Sequence, residues 1–157
     1  MFQLEWWQYR HHEIGFYQNS ILQKIYRYSD GSNSLPTERH IMSLSAYIAK
    51  VKATPEALEF SELMDLIAAT YKFTPTEFKN GAAVNLPEQN QGSCKLFAFA
   101  KLQGFDKAQT LACFGGYYHD DVLQNPDGED HQNIRNFMTH GWDGIAFKGE
   151  VLTLLKG

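Results

Sequence analysis

Cysteine is scarce in this chain. Of its 157 residues only Cys94 and Cys113 carry thiols, and they form neither a C-x-x-C pair nor a disulfide framework, which points to a reducing compartment. Long apolar runs are missing as well. The longest, residues 96–100, falls far short of the roughly 18 needed to span a bilayer, so no membrane partner is expected. The opening segment mixes Trp, His, Arg and Glu and lacks the basic start and apolar block of a secretory signal, so Sec-type export is not expected. Positive charge is not in excess: 14 Lys and Arg stand against 18 Asp and Glu, a formal charge of -4, which argues against nucleic acid as a partner. P-loop, G-x-G-x-x-G, G-x-S-x-G and H-E-x-x-H patterns are absent, and no internal repeat is apparent.

What is present suits one folded core. With 43% hydrophobic and 20% charged residues, the chain has the composition of an ordinary globular domain and needs no metal or disulfide to stabilise it. Residues 29–37, S-D-G-S-N-S-L-P-T, cluster turn formers and read as a linker. Upstream, Ile14, Tyr17, Ile21, Leu22 and Ile25 fall at helical spacing over about 13–28, next to the aromatic group Trp6, Trp7 and Tyr9. Met42 reads as an alternative start, with residues 1–41 as an N-terminal extension or linker and 42–157 as the domain.

Within 42–157, Ser43 is placed to cap a helix running to Lys52, and Thr54-Pro55-Glu56 carries the signature of a second helix start. Phe60, Leu63, Met64 and Ile67 then make one apolar stripe. Asn80-Gly81 marks a type I′ hairpin turn in an irregular stretch from Tyr71 to Val84. Ser93 is read as the cap of a helix apolar on most faces, hence central, which Gly104 ends. Asp106 with Gln109 forms a capping box, and Gly115-Gly116 implies a kink or close backbone approach. Asn125 to Gly128 reads as a turn, Asp130 as a cap, and 145–147 with 151–154 as a closing hairpin. The expected fold is α+β: a predominantly helical single domain with a small antiparallel sheet.

Two polar strings carry the candidate chemistry. Cys94, at a helix start beside Lys95, has the setting that lowers a thiol pKa, and Asp130 with His131 supplies an orienter and a base. Cys94, His131 and Asp130 are therefore the candidate catalytic residues of a thiol-dependent hydrolase or transferase. Against this, buried cysteines are commonly plain core residues and Asp130 fits a structural cap. Asn90, Ser93, Lys95, Tyr118, Asn133 and Arg135 are the candidate ligand-binding residues; Asn133 and Asn136 share a helix face. Tyr117, Tyr118, His119, Asp120 and Asp121, with Asp130 and His131, hold imidazole and carboxylate groups, but their spacing matches no metal motif, so no metal is assigned. No cofactor is identified.

The strings E-F at 59–60, Y-K-F-T-P-T at 71–76, N-G at 80–81, N-Q-G-S-C-K-L-F-A-F-A at 90–100, Y-Y at 117–118, D-H-Q-N-I-R-N-F-M at 130–138 and G-W at 141–142 closely resemble the HopJ type III effector family. The resemblance runs from Ser45 to about Leu152 and leaves residues 1–41 outside. It implies a bacterial protein, in the bacterial cytoplasm or delivered into a host cell by a type III system, and it implies no established reaction. The reading that follows is a HopJ-like binding or interaction module for an unidentified protein or small-molecule ligand, with a polar pocket where Cys94 and Lys95 meet Asp130, His131 and Arg135. The alternative is the Cys94 enzyme.

Overall fold

A computed structural model describes residues 41–156. The expected amphipathic helix at 13–28 and the linker at 29–37 lie outside the described residues.

Helix α1 (Leu44–Ala53) starts as expected, with the Ser43 hydroxyl accepting from the Ala46 amide at 3.2 Å. It buries Tyr47 and Val51. Thr54-Pro55 opens only a 3₁₀ turn, Pro55–Ala57. The helix does not continue because Leu58 turns extended and sinks into the core at 2% exposure. Helix α2 (Phe60–Thr70) begins instead at Glu59, whose amide donates to the Glu62 carboxylate at 3.3 Å. The same carboxylate takes the Lys50 ammonium at 2.7 Å, tying α1 to α2.

Strand β1 (Tyr71–Phe73) follows directly. Strands β2 (Phe78–Asn80) and β3 (Ala83–Asn85) form the expected hairpin. Its turn differs from expectation: Gly81 has φ 61° while Ala82 does not enter the left-handed region, the pattern of type II′ rather than type I′. Strands β4 (Ile145–Phe147) and β5 (Leu152–Leu154) do not pair with each other. β4 adds to β2 in a three-stranded sheet ordered β3-β2-β4, and β5 pairs with β1. The expected closing hairpin is thereby replaced by two small antiparallel sheets. The α+β class with one domain stands.

Helix α3 (Gln91–Gln103) is the central element. Leu96, Phe97, Phe99 and Ala100 are each wholly buried, and Gly104 ends the helix at φ 68°. Its start is not capped by Ser93, which lies one turn inside and buried; Asn90 flanks it in the left-handed conformation at φ 49°. Helix α4 (Lys107–Ala112) has the expected box, Asp106 accepting from the Gln109 amide at 2.8 Å and Gln109 accepting in return at 3.0 Å. At Gly115, φ 59°, a Cβ would stand 2.8 Å from the Leu58 carbonyl oxygen, so the expected close backbone approach is found. A π-helical turn (Tyr117–Val122) follows.

Helix α5 (Gln132–His140) packs on β2 and on the π turn. Asp130 does not cap it. His131 occupies the flanking position at φ 50°, and Asp130 binds Arg135 instead. Gly141 opens a 3₁₀ turn, Gly141–Gly144, that leads into β4. Trp142 packs edge-on to Phe97 and Phe137, with its indole N–H donating to the Phe105 carbonyl at 2.9 Å. No helix among the described residues is long and apolar enough to cross a membrane.

Candidate functional site

The two polar strings do converge, through a residue that sequence reasoning missed. Asn85, at the end of β3, is 4% exposed and accepts from Asn90 at 2.7 Å and from Asn133 at 2.9 Å through one side-chain oxygen. Its own amide donates back to Asn133 Oδ1 at 3.3 Å. Asn80, wholly buried on β2, donates to the Asn133 carbonyl at 2.7 Å and to its Oδ1 at 3.0 Å. The flanking residue of α3, the β2–β3 hairpin and the first turn of α5 are thus joined by one buried amide network, whose members would each be costly to leave unpaired.

The other predicted residues fall elsewhere. Cys94 is 1% exposed and its thiol donates to the Thr76 carbonyl at 3.7 Å. Lys95 places its ammonium over the Phe73 ring, 4.6 Å from the centroid. His131 instead meets Asp121 at 3.0 Å and Asp130 at 3.7 Å, with its ring 5.4 Å from that of Tyr117. Tyr118 is half-buried, its ring 5.1 Å from that of His119. Arg135 turns its guanidinium to its own chain, donating to the carbonyls of Asp130, Pro126 and Asn125 and to the Asp130 carboxylate at 2.7 Å. That fork fastens the loop before α5. It holds the Asp130 carboxyl below the usual carboxylate range.

Burial opposes the lowered thiol pKa expected at Cys94. Burial pushes the Cys94 thiol up to about 11, outweighing the Lys95 ammonium and the Thr76 hydrogen bond, which act in the opposite direction. Cys113 is likewise pushed up to about 11 by burial. Both groups are acids favoured in the neutral form by the fold. Their contribution is therefore complete below the ordinary thiol value of 9.0 and lost as pH rises toward about 11. Denaturant midpoints measured between pH 8 and 11 should fall through this window, and Cys94→Ala with Cys113→Ala should flatten the fall; an unchanged profile in the double variant refutes the assignment.

A different place presents free chemistry. Asn133, Asn136 and His140 lie along one face of α5, and that face rests on β2: Asn133 and Asn136 bind Asn80, and His140 covers Gly81. A Cβ at Gly81 would meet His140 Cδ2 at 2.4 Å, and one at Gly144 would meet His140 Cβ at 2.7 Å, so glycine at both positions admits the imidazole. Around it opens a groove of about 390 Å³ lined by Lys79, Gly81, His140, Asp143, Gly144 and Ala146. Lys79, His140 and Asp143 are all exposed, and none enters an ion pair among the described residues. Sequence reasoning had Asn80-Gly81 only as a turn. The helical spacing of 133, 136 and 140 was the available signal. Among the described residues, no three His, Cys, Asp or Glu side chains are grouped to hold a metal ion.

The profile of the HopJ type III effector protein family matches residues 44–152, and the chain belongs to that family. It is also similar to the crystal structure of the unknown function protein VPA0580, at 45% sequence identity and a TM-score of 0.73, over 77% of this chain and 100% of that one. No curated protein matches it.

Proposed function

We propose that this HopJ-family protein acts by non-covalent binding, with the groove between β2 and the end of α5 as its recognition site. The observation that carries this reading is the contrast between the two sets of polar side chains. Cys94 is buried and neutral, and Arg135 is committed to its own loop, whereas Lys79, His140 and Asp143 enter no ion pair among the described residues and line an open groove. The amide network serves the groove by fixing the register of α5 over β2, so that His140 meets Gly81. The family resemblance supports delivery into a host cell by a type III system as the setting for this binding.

A small-molecule screen read by ligand-observed NMR separates this reading from thiol catalysis. Compounds that bind the native protein should still bind Cys94→Ser and should bind His140→Ala at least about tenfold more weakly, the loss expected when a well-placed contact worth roughly 1.4 kcal/mol is removed. Compounds whose binding is abolished in Cys94→Ser and retained in His140→Ala would instead favour the enzyme.

A further inference from the structure

We infer that the groove takes a small zwitterion, a molecule carrying both an ammonium and a carboxylate in the manner of a free amino acid. This rests on the binding reading above and names the ligand class for the same site.

The argument is one of charge and shape. Lys79 rises from the middle of β2, exposed between the buried side chains of Phe78 and Asn80, with the small Ala146 opposite it on β4. Asp143 lies in the 3₁₀ turn that follows α5, so the two charges enter the groove from separate elements. They do not close on one another as an ion pair, and neither is paired with another charge among the described residues. A purely anionic ligand drawn to Lys79 meets the Asp143 carboxylate, and a purely cationic one meets the Lys79 ammonium. A neutral apolar ligand gains little, because the apolar surface exposed in the groove is small in absolute terms and its charged groups go unused. A molecule carrying both signs satisfies both walls. Between them the His140 imidazole can donate or accept a hydrogen bond, and it is held in place by contact with Gly81 and Gly144. The volume, about 390 Å³, suits one small molecule.

The experiment is an NMR titration of the full chain with glycine, β-alanine and 4-aminobutyrate, which differ in the separation of their charges. N-acetylglycine and glycinamide, each carrying one charge, serve as comparators. At least one zwitterion should shift the Gly81 and Gly144 amides and the His140 ring, and should bind about fivefold or more tightly than either comparator, the upper end of what an exposed ion pair contributes. Lys79→Glu and Asp143→Lys should each remove this preference, and the double variant should restore it, because reversing both walls lets the ligand bind turned end for end. Both positions are exposed, and unchanged near-ultraviolet dichroism of Trp142 checks that the variants fold. Equal binding of a comparator, or no restoration in the double variant, overturns the zwitterion while leaving the groove as the site. Shifts that gather around Cys94 and disappear after its alkylation overturn the binding reading itself.

Discussion

Phe97→Ala should lower the unfolding free energy by about 3 to 5 kcal/mol, a large share of the roughly 5 to 15 kcal/mol that holds a domain of this size. Phe97 is wholly buried in α3, and its ring lies 4.9 Å from that of Phe137 on α5, 5.5 Å from Phe114 after α4, 6.1 Å from Phe78 on β2 and 6.5 Å from Trp142. Truncation therefore removes contacts to four separate segments at once. They cannot all close inward, because Phe137 and Phe78 are held in register by the asparagine network on the same elements. The cavity should persist, and cavity cost adds to the lost transfer energy. Thermal unfolding should fall by on the order of 10 to 15 °C. Leu102→Ala, in the same helix but 58% exposed, should change stability by no more than about 0.5 kcal/mol. Equal losses in the two variants would mean that α3 is not the centre of the core.

The centrality of α3 was legible because it rests on local pattern: an apolar run with a glycine stop needs a buried face whatever surrounds it. The Ser43 cap, the Asp106–Gln109 box and the glycines at 104 and 115 were legible for the same reason. The helix starts at Asn90 and His131 were not. Each has a good cap residue nearby, Ser93 or Asp130, and local chemistry favours those over a left-handed residue that costs about 1 to 2 kcal/mol in ordinary sequence. Tertiary structure reversed the order. Asn90 and Asn133 must reach Asn85, and the left-handed residues at 90 and 131 stand where the chain enters each helix. Strand partners were illegible too, since three-residue strands carry too little periodicity to choose between β2 and β5 for β4. The burial of the thiol was illegible because neighbouring charge can be read from the sequence and burial cannot. The groove was hidden because Lys79, His140 and Asp143 come from distant stretches and match no motif.

Asn133→Leu tests the device that unites these elements and should cost about 3 kcal/mol. Leucine keeps the branching of asparagine but is larger and cannot hydrogen-bond, so overpacking adds to the lost hydrogen bonds. Asn85 loses a donor to its oxygen and the acceptor for its amide, keeping for the latter only the Phe78 carbonyl at 3.5 Å. Asn80 keeps the backbone carbonyl of residue 133 and loses the side-chain oxygen. Each buried group left without its partner costs about 1 to 3 kcal/mol, whereas removing both partners of a pair costs less than the sum. Asn85→Leu combined with Asn133→Leu should therefore be less destabilising than the two single losses added together, with a coupling of about 1 kcal/mol or more in a double-mutant cycle. Asn136→Ala, whose bond to the Asn80 carbonyl is 3.4 Å and only part-buried, should cost less than about 1 kcal/mol. The network also sets the position of α5, so in Asn133→Leu the His140 ring should leave Gly81, and its NMR signals should move although residue 133 lies two turns away. Additive stability losses with an unmoved His140 would show that the asparagines fill space without placing the groove.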